Sequence, residues 1–416
     1  RADSGFTRGN FALRLDRDVS ATVGIGATLR GYHGLYESPG DRFTNDPNNT
    51  ERERIFLATV FASLKPTPAW SVHLILGAQH RELVSDNPLP NPPWATPPSQ
   101  DHNRTRRAVL DAQATWTGLD RHRITFGTTA DRSDTRNTGF GNIDRDQSLV
   151  AFFAQDEMTL GENLFLTVGL RNDDHDTFGN AVTGRAALAW IAQPKRLKLR
   201  ASYGTAFRSP SFLDLYGTSA YYVGNPTLDP EEAKGWDAGL DLTLPGNRGL
   251  LAVTWFDMRF ENLINYDFMV FPATVRNIGE AKTHGVETAL QLNLTADTRL
   301  DLAHTWLEAE DTAAGQRLLR RPRHSVGADL RHDLSRNFTI GAGVAWIADR
   351  EDVDAATYGR TDGEDYTVLR VYGAWYLRDN LNLRLRVENA LDERYEAVNG
   401  FPSPGLAVYG GLDWRF

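Results

Sequence analysis

Residues Gly405 to Phe416 read GLAVYGGLDWRF, and the alternation in this stretch decides the fold. Successive side chains of a β-strand point to opposite faces, so the stretch predicts a strand with one apolar and one polar face. Lipid on one side and water or protein on the other would match this pattern, and we expect a bilayer to cover the apolar face. The apolar positions are Leu406, Val408, Leu412, Trp414 and Phe416, and the others are Ala407, Tyr409, Gly411, Asp413 and Arg415.

The same period of two recurs along the chain. It is clear in Ala21 to Arg30, Leu197 to Gly204, Trp236 to Leu244 and Leu381 to Glu388. A helix would scatter these apolar side chains around its circumference, whereas a strand places them on one face. On this basis the sequence predicts about 19 strands.

The predicted connections between strands alternate in length. Short ones, such as Gly118 to Asp120 and Gln193 to Lys195, are separated by long ones, such as Arg208 to Glu232 and Glu351 to Glu364. Short turns on one rim and long loops on the other are typical of a bacterial outer-membrane barrel. We therefore predict an all-β fold, an antiparallel transmembrane β-barrel. Because such barrels normally hold an even number of strands, the predicted strands are expected to belong to a barrel of about 22.

Composition agrees with this prediction. The 416 residues include 36 glycines and have a mean hydropathy of -0.43, and no apolar run approaches the length of a spanning helix. A net charge of -9 argues against a nucleic-acid partner, and the absence of cysteine removes disulfides and thiolate metal sites. The given residues contain no recognisable signal peptide and begin at Arg1 without a methionine, so we expect a mature piece or a fragment. A soluble β-rich interaction protein, built as a sandwich or propeller, is the structural alternative.

Catalytic motifs are not found. The ten histidines are scattered without an HExxH pair, and no GxSxG nucleophile elbow occurs. The sequence therefore does not predict an enzyme.

Seven stretches follow one another along the chain: Phe152 to Asp156 (FFAQD), Gly169 to Gly179, Tyr203 to Tyr216, Gly224 to Glu231 (GNPTLDPE), Asn277 to Glu287, Arg320 to His324 (RRPRH) and Val387 to Tyr395 (VENALDERY). Taken in this order, they resemble the barrel of TonB-dependent outer-membrane receptors, within the group for cobalamin and siderophores. The resemblance implies a receptor in the outer membrane that binds a scarce metal chelate, with a TonB-type energy-coupling protein, the barrel assembly machinery and membrane lipid as partners. Residues 1–416 would be one barrel domain, N-terminally incomplete, because the family's plug and TonB box are not seen. A plugless passive pore is the alternative.

Candidate ligand residues lie in the long loops. Exposed loop aromatics would stack on a flat ligand such as a corrin or a catecholate, and the candidates are Trp94, Tyr221, Tyr222 and Phe401. Arg208 would contact an anionic ligand or the plug, although a structural ion pair is an equal alternative.

No catalytic cofactor is predicted, but calcium in the outer loops is. The resemblance to cobalamin receptors, which use loop calcium, points to Asp41 and Asp46, whereas Asp173 to Asp176 is better explained as a solvated acidic hairpin. By resemblance to other outer-membrane barrels, Phe416 is predicted to be an assembly signal. Most tryptophans are predicted to be membrane-interface anchors: Trp70, Trp116, Trp190, Trp236, Trp255, Trp346, Trp375 and Trp414.

Overall fold

The computed structural model describes residues 5–40, 46, 48–89 and 98–415. Most of these residues form one antiparallel sheet of 20 strands. Each long strand pairs with the strands before and after it in the chain, which is an up-and-down meander. No helix within the described ranges is long and apolar enough to cross a membrane.

The sheet has 19 long strands and one two-residue addition, β15, at the end of β14. Its first half contains β1 (Phe6–Ser20), β2 (Val23–Glu37), β3 (Thr50–Thr67), β4 (Trp70–Asn87), β5 (Ser99–Trp116), β6 (His122–Asn137), β7 (Ile143–Thr159), β8 (Leu164–His175), β9 (Gly179–Gln193) and β10 (Leu197–Arg208). Its second half contains β11 (Glu231–Thr243), β12 (Gly249–Asp267), β13 (Thr274–Asn293), β14 (Thr298–Asp311), β15 (Gln316–Arg317), β16 (His324–Ser335), β17 (Phe338–Ala348), β20 (Tyr366–Arg378), β21 (Leu381–Glu388) and β24 (Ala407–Trp414).

The remaining elements are short and lie in the connections. Two small hairpins pair β18 (Arg350–Val353) with β19 (Arg360–Gly363) and β22 (Glu396–Val398) with β23 (Phe401–Pro402). One helical turn, α1 (Phe212–Tyr216), follows β10, and a 3₁₀ turn, Pro245–Asn247, follows β11.

The connections alternate as the sequence predicts. Nine of them form a turn rim of two to five residues each, and nine form a loop rim on the opposite edge. The loop rim consists of residues 38–49, 88–98, 138–142, 176–178, 209–230, 268–273, 312–323, 349–365 and 389–406. The two rims confirm the predicted asymmetry, although 176–178 and 268–273 were not among the predicted loops.

The two faces of the sheet differ in chemistry. One face is apolar and exposed, as at Val60 and Leu76, which lie opposite each other on β3 and β4. The other face carries ion pairs, several of them between residues two apart on one strand, such as Arg331 with Asp333 at 3.0 Å. Only one of these faces is suited to lipid.

Tryptophans mark two levels on the apolar face. Near the turn rim, Trp70 begins β4 and packs against Trp116, which ends β5, with ring centroids 6.2 Å apart. On β12, β14 and β17 a second belt lies six to eight residues after the first residue of each strand, which is at the turn rim. With a rise of about 3.3 Å per residue and the usual strand tilt, this belt lies about 15–20 Å from the turn rim. Two such belts flank the lipid-facing band of a transmembrane barrel, and they support the predicted interfacial role. The upper belt contains Trp255, His284, Trp306, His324 and Trp346.

Candidate functional site

The long loop 209–230 covers a low part of the loop rim. Strands β8 and β10 have 12 residues each, whereas β12 and β13 have 19 and 20. The loop begins with α1, whose Ser211 and Asp214 form a reciprocal capping box. It then reaches loop 138–142, where the Thr218 N–H donates to the Phe140 carbonyl at 3.2 Å. Loop 209–230 is therefore a folded element that spans β8 and β9.

A small hydrophobic core holds this loop in place. Tyr222 is 8% exposed and packs with Leu215, Leu228 and Val275. Its hydroxyl donates to the Leu213 carbonyl at 3.2 Å, and burial, with Asp214 nearby, raises the pKa of Tyr222 to about 12. The prediction of an exposed Tyr222 ring is wrong, because the ring fills the loop's own core.

The neighbouring loop 268–273 carries an apolar tip. We use this name for Tyr221, Tyr266, Phe268, Met269 and Phe271, each of which is more than half exposed, with Met269 at 94%. Tyr266 stacks on Phe268 at 5.6 Å, and Tyr221 meets Phe271 edge to face at 6.3 Å. Of these five residues only Tyr221 is among the predicted ligand residues, although the apolar run Phe268 to Phe271 (FMVF) in the sequence also indicates an exposed apolar loop.

The tip is mounted rigidly on the loop core. The Val223 N–H donates to the Ala273 carbonyl, and the Ala273 N–H donates to the Tyr221 carbonyl, both at 2.9 Å. Asn225 Nδ2 donates to the Val275 carbonyl at 3.1 Å. These bonds join loop 209–230 to loop 268–273, so the tip projects from a folded base.

Three other loops, 312–323, 349–365 and 389–406, form a second unit that we call the loop clamp. At its centre Asp352 is fully buried, and its Oδ1 accepts a hydrogen bond from Arg320 Nε at 2.7 Å. Its Oδ2 accepts from the Asn399 N–H at 2.8 Å. Burial alone would raise the pKa of Asp352, but the bonds from Arg320 and from the N–H groups of Asn399 and Val353 outweigh burial and lower it.

Arg350 is a second buried charged residue in the clamp, and it binds backbone carbonyls. It is 5% exposed, donates to the carbonyls of Glu364, Glu396 and Ala397, and lies 5.5 Å from the centre of the Tyr366 ring. Because Glu364 and Glu396 belong to different loops, Arg350 ties loop 349–365 to loop 389–406.

A third contact set joins the clamp to β14. Arg323 lies 2.7 Å from Glu308 and 2.6 Å from Asp349, and Arg317 lies 2.8 Å from Asp349. The hydrogen bond from Arg317 and the charges of both arginines lower the pKa of Asp349, against the smaller effect of burial. Arg320 and Arg323 therefore stabilise contacts between loops through ion pairs.

Of the remaining predicted ligand residues, Arg208 pairs with Glu231 across β10 and β11. Glu231 also accepts the Ile264 N–H at 2.9 Å, so the structure favours the structural alternative for Arg208. Phe401 is half exposed on β23, and no described contact joins it to Tyr221 or Arg208. Trp94 lies outside the described residues. Tyr221 and Phe401 therefore stay predictions on two separate units.

Asp46 has a feature suited to a cation. Asn87 Nδ2 donates to Asp46 Oδ2 at 2.7 Å, but Asp46 Oδ1 and Asn87 Oδ1 are buried and accept no hydrogen bond from the described residues. Within the described ranges no group of three or more His, Cys, Asp or Glu residues is placed to hold a metal. Asp41 and Phe416 lie outside the described residues.

The acidic hairpin Asp173 to Asp176 is less solvated than expected. Asp173 is buried and lies 2.8 Å from Arg171, and Asp176 Oδ2 accepts the Ser148 N–H at 2.6 Å. The expectation of a solvated hairpin is wrong for Asp173. Its side chain lies on the polar face of the sheet and pairs there with Arg171 of the same strand.

Comparison with known proteins shows which family this chain resembles. A family model described as TonB dependent receptor-like, beta-barrel, matches residues 2–390. The Vitamin B12 transporter BtuB of Vibrio cholerae serotype O1 is 28% identical over 258 residues, which are 60% of this chain and 40% of that protein. BtuB of Photobacterium profundum is 25% identical over 325 residues, 75% of this chain and 50% of that protein. The chain thus spans about half the length of these curated relatives or less.

Solved structures show the same fold. The siderophore receptor PirA from Acinetobacter baumannii superimposes with a TM-score of 0.84 over 99% of this chain and 71% of that one, at 13% identity. At this identity the likeness concerns the fold alone.

Proposed function

Because the chain belongs to the TonB-dependent receptor-like β-barrel family, we propose that it takes up a scarce metal chelate, either cobalamin or a ferric siderophore. It is an antiparallel transmembrane β-barrel protein of the bacterial outer membrane, and its relatives are transporters and receptors, not enzymes. This location overturns the soluble alternative. The observation that carries the proposal is the loop rim, whose loops fold into a mounted apolar tip and a braced clamp.

Receptors of this kind place their binding surface on outer loops, and loops held by buried contacts lose less entropy when a ligand binds. Both loop units are held in this way. Tyr221 and Phe401 are the exposed aromatics that we propose for ligand contact. Inward transport would require a plug inside the barrel and a TonB-type protein beneath it, and membrane insertion would require the barrel assembly machinery.

The polar face favours a barrel filled with protein over an open pore. Phe61 and Ile75 lie opposite each other on β3 and β4 among the charged residues of that face, and Ile75 is 40% exposed. In an open pore the Ile75 side chain would face water, whereas a plug would cover it. The comparisons offer no support for a plugless pore.

The test uses the complete gene product in outer-membrane vesicles, with cyanocobalamin and a ferric siderophore as probes. We expect saturable binding of one of them, and uptake in cells that stops when the TonB-type protein is deleted. Steady conductance in planar bilayers, together with no saturable binding of either probe, would instead indicate a passive pore.

We also propose that calcium binds at Asp46, with Asp41 as a second ligand. The two buried oxygens of Asp46 and Asn87 support this proposal, because a calcium ion prefers oxygen ligands and would satisfy both. The ion would supply no chemistry; it would tie loop 38–49 to the end of β4.

Terbium luminescence on the folded receptor provides the test, since Tb³⁺ occupies calcium sites. Asp46→Asn should weaken Tb³⁺ binding about tenfold or more, while Asp362→Asn, an exposed loop carboxylate, serves as the control. Equal binding by wild type and Asp46→Asn would refute the site.

A further inference from the structure

We infer that this barrel takes a chelate without net negative charge, which docks through an apolar face on the apolar tip, and that it discriminates against polyanionic chelates. The inference rests on the proposed function and narrows its ligand class. Three observations carry it: the charge of the loop rim, the engagement of its arginines, and the chemistry of the tip.

The loop rim is strongly acidic. Its nine connections contain fifteen Asp and Glu residues against eight arginines and no lysine, whereas the turn rim contains four acidic residues against five basic ones. Loop 349–365 alone holds seven carboxylates and two arginines. A ligand that approaches the loop rim therefore meets a negative potential, which slows the arrival of anions and leaves neutral molecules unaffected.

Most arginines of this rim are not available to an anionic ligand. Arg317, Arg320, Arg323 and Arg360 are held in ion pairs, and Arg350 is buried. The other two loop arginines in the described ranges, Arg321 and Arg394, are exposed and form no ion pair with described residues. Recognition of a polyanion needs several convergent cations, and neither loop unit presents such a group within the described residues.

The apolar tip offers a surface without charge. Its nearest charged groups, Asp267 and Arg276, neutralise each other at 3.0 Å at the base of the hairpin. Its five side chains are each more than half exposed, and four of them form two ring pairs, so the tip presents the kind of exposed apolar surface that marks a binding site. Aromatic rings in edge-to-face and stacked arrangements accept a further flat apolar face at little cost, because their base is already ordered.

Three probes separate charge from shape: cyanocobalamin, which is neutral; ferrichrome, a neutral trihydroxamate; and ferric enterobactin, a polyanionic tris-catecholate. Association rates to the complete receptor are measured by quenching of intrinsic tryptophan fluorescence at about 10 mM and 150 mM salt, where the Debye length is about 30 Å and 8 Å. We expect saturable binding of a neutral probe at a rate that changes less than about twofold with salt. For ferric enterobactin we expect a rate that rises about tenfold as salt screens the repulsion.

Two sets of variants locate the effect. Asp229→Asn with Asp362→Asn removes two exposed carboxylates that accept no hydrogen bond in the described structure, and should raise the low-salt rate of the polyanion about two- to threefold. Phe268→Ser with Phe271→Ser should weaken binding of the neutral probe about tenfold or more. Tyr358→Ser removes an equally exposed aromatic from loop 349–365 and is the matched control, with affinity unchanged.

The outcomes are distinct. If ferric enterobactin binds faster at low salt than at high salt, the rim attracts anions and the inference is overturned. Unchanged affinity of the Phe268→Ser, Phe271→Ser variant would likewise remove the tip from recognition, provided the barrel still shows heat-modifiable migration. If none of the three probes binds saturably, the proposed function itself fails, and this inference fails with it.

Discussion

Arg320 donates a hydrogen bond to the buried carboxylate of Asp352 at 2.7 Å, and the two residues belong to different loops. The same carboxylate accepts the N–H of Asn399 from a third loop. One side chain therefore orders three connections that the chain reaches separately, and several consequences can be measured.

Replacing Asp352 by alanine should loosen the loop clamp while leaving the barrel intact. The variant loses a charged hydrogen bond and leaves the N–H groups of Val353 and Asn399 buried without an acceptor, a cost of about 2–4 kcal/mol in local stability. Hydrogen exchange by mass spectrometry should show faster exchange in 349–365 and 389–406.

Asp362→Ala is the control for this variant, because Asp362 is exposed on β19 and accepts no hydrogen bond from described residues. Heat-modifiable migration should be unchanged in both variants. Unaltered exchange in loop 389–406 of Asp352→Ala would mean that the clamp does not depend on this carboxylate.

The clamp should withstand mild acid and open in strong acid. The pKa values of Asp349 and Asp352 are both lowered in the folded loops. A carboxyl group whose folded pKa is depressed stabilises the fold fully above its unfolded pKa, near 4, and loses that contribution as pH falls through the folded pKa. We expect no change between pH 7 and pH 5, and opening only below about pH 4.

Spin labels can measure this opening, because the chain contains no cysteine that would need to be removed. Labels at Ala313→Cys and Tyr358→Cys report the distance between loops 312–323 and 349–365. A distribution that broadens already at pH 5 would contradict the direction of both pKa shifts. In an Asp352→Asn background the distribution should be broad at pH 7 and less sensitive to acid.

Tyr222 should behave as a core residue. Tyr222→Phe removes one hydrogen bond, to the Leu213 carbonyl, at a cost of about 1 kcal/mol, whereas Tyr222→Ala empties the loop core at a cost of about 3–5 kcal/mol. Protease cleavage within 209–230 should therefore be unchanged or slightly faster in the first variant and much faster in the second. Similar cleavage of Tyr222→Ala and wild type would refute this role. The exposed neighbour Tyr221→Ala is the control.

A charged side chain placed on the apolar face, midway between the two tryptophan belts, should destabilise the barrel. Leu74 lies on this face four residues past Trp70, between the levels of the two tryptophan belts, so Leu74→Arg should destabilise the barrel by about 2–4 kcal/mol. Gln79→Arg places the same side chain on the polar face of the same strand and should have little effect. Urea titration in liposomes measures both. Equal destabilisation would mean that the two faces are wrongly assigned.

Many strands of the sheet could be predicted from the sequence, because the alternation of apolar and polar side chains is a local property. The approximate strand number and the two rims follow from residues within about ten positions of each other. The charged stretch Asp16 to Asp18 predicts a turn, but it belongs to β1, and the first turn lies at residues 21–22, because Asp16 forms an ion pair with Arg14 on the polar face. A charged turn and a charged barrel wall have the same composition, so the sequence could not separate them.

The loops could be predicted only in part, because their structure depends on distant partners. Tyr222 is buried by Val275, which follows more than fifty residues later, and no local pattern reveals that contact. Asp352 is likewise ordered by residues on both sides of it in the chain. The exposure of Tyr221 could be predicted, because an aromatic residue in a long loop needs no distant partner to be recognised, whereas its contact with a ligand stays a prediction.

The loop clamp also bears on how such barrels diverge. Because Asp352, Arg350 and Asn399 make their contacts across loop boundaries, a new sequence in one of the three loops must still fit the other two. If recombination between related genes exchanged loop 349–365 alone, the new loop would lack matching partners in the other two loops. The two hairpins of the clamp and loop 312–323 are therefore expected to be inherited as one block, and loops 209–230 and 268–273, which Ala273 joins through two backbone hydrogen bonds, as another.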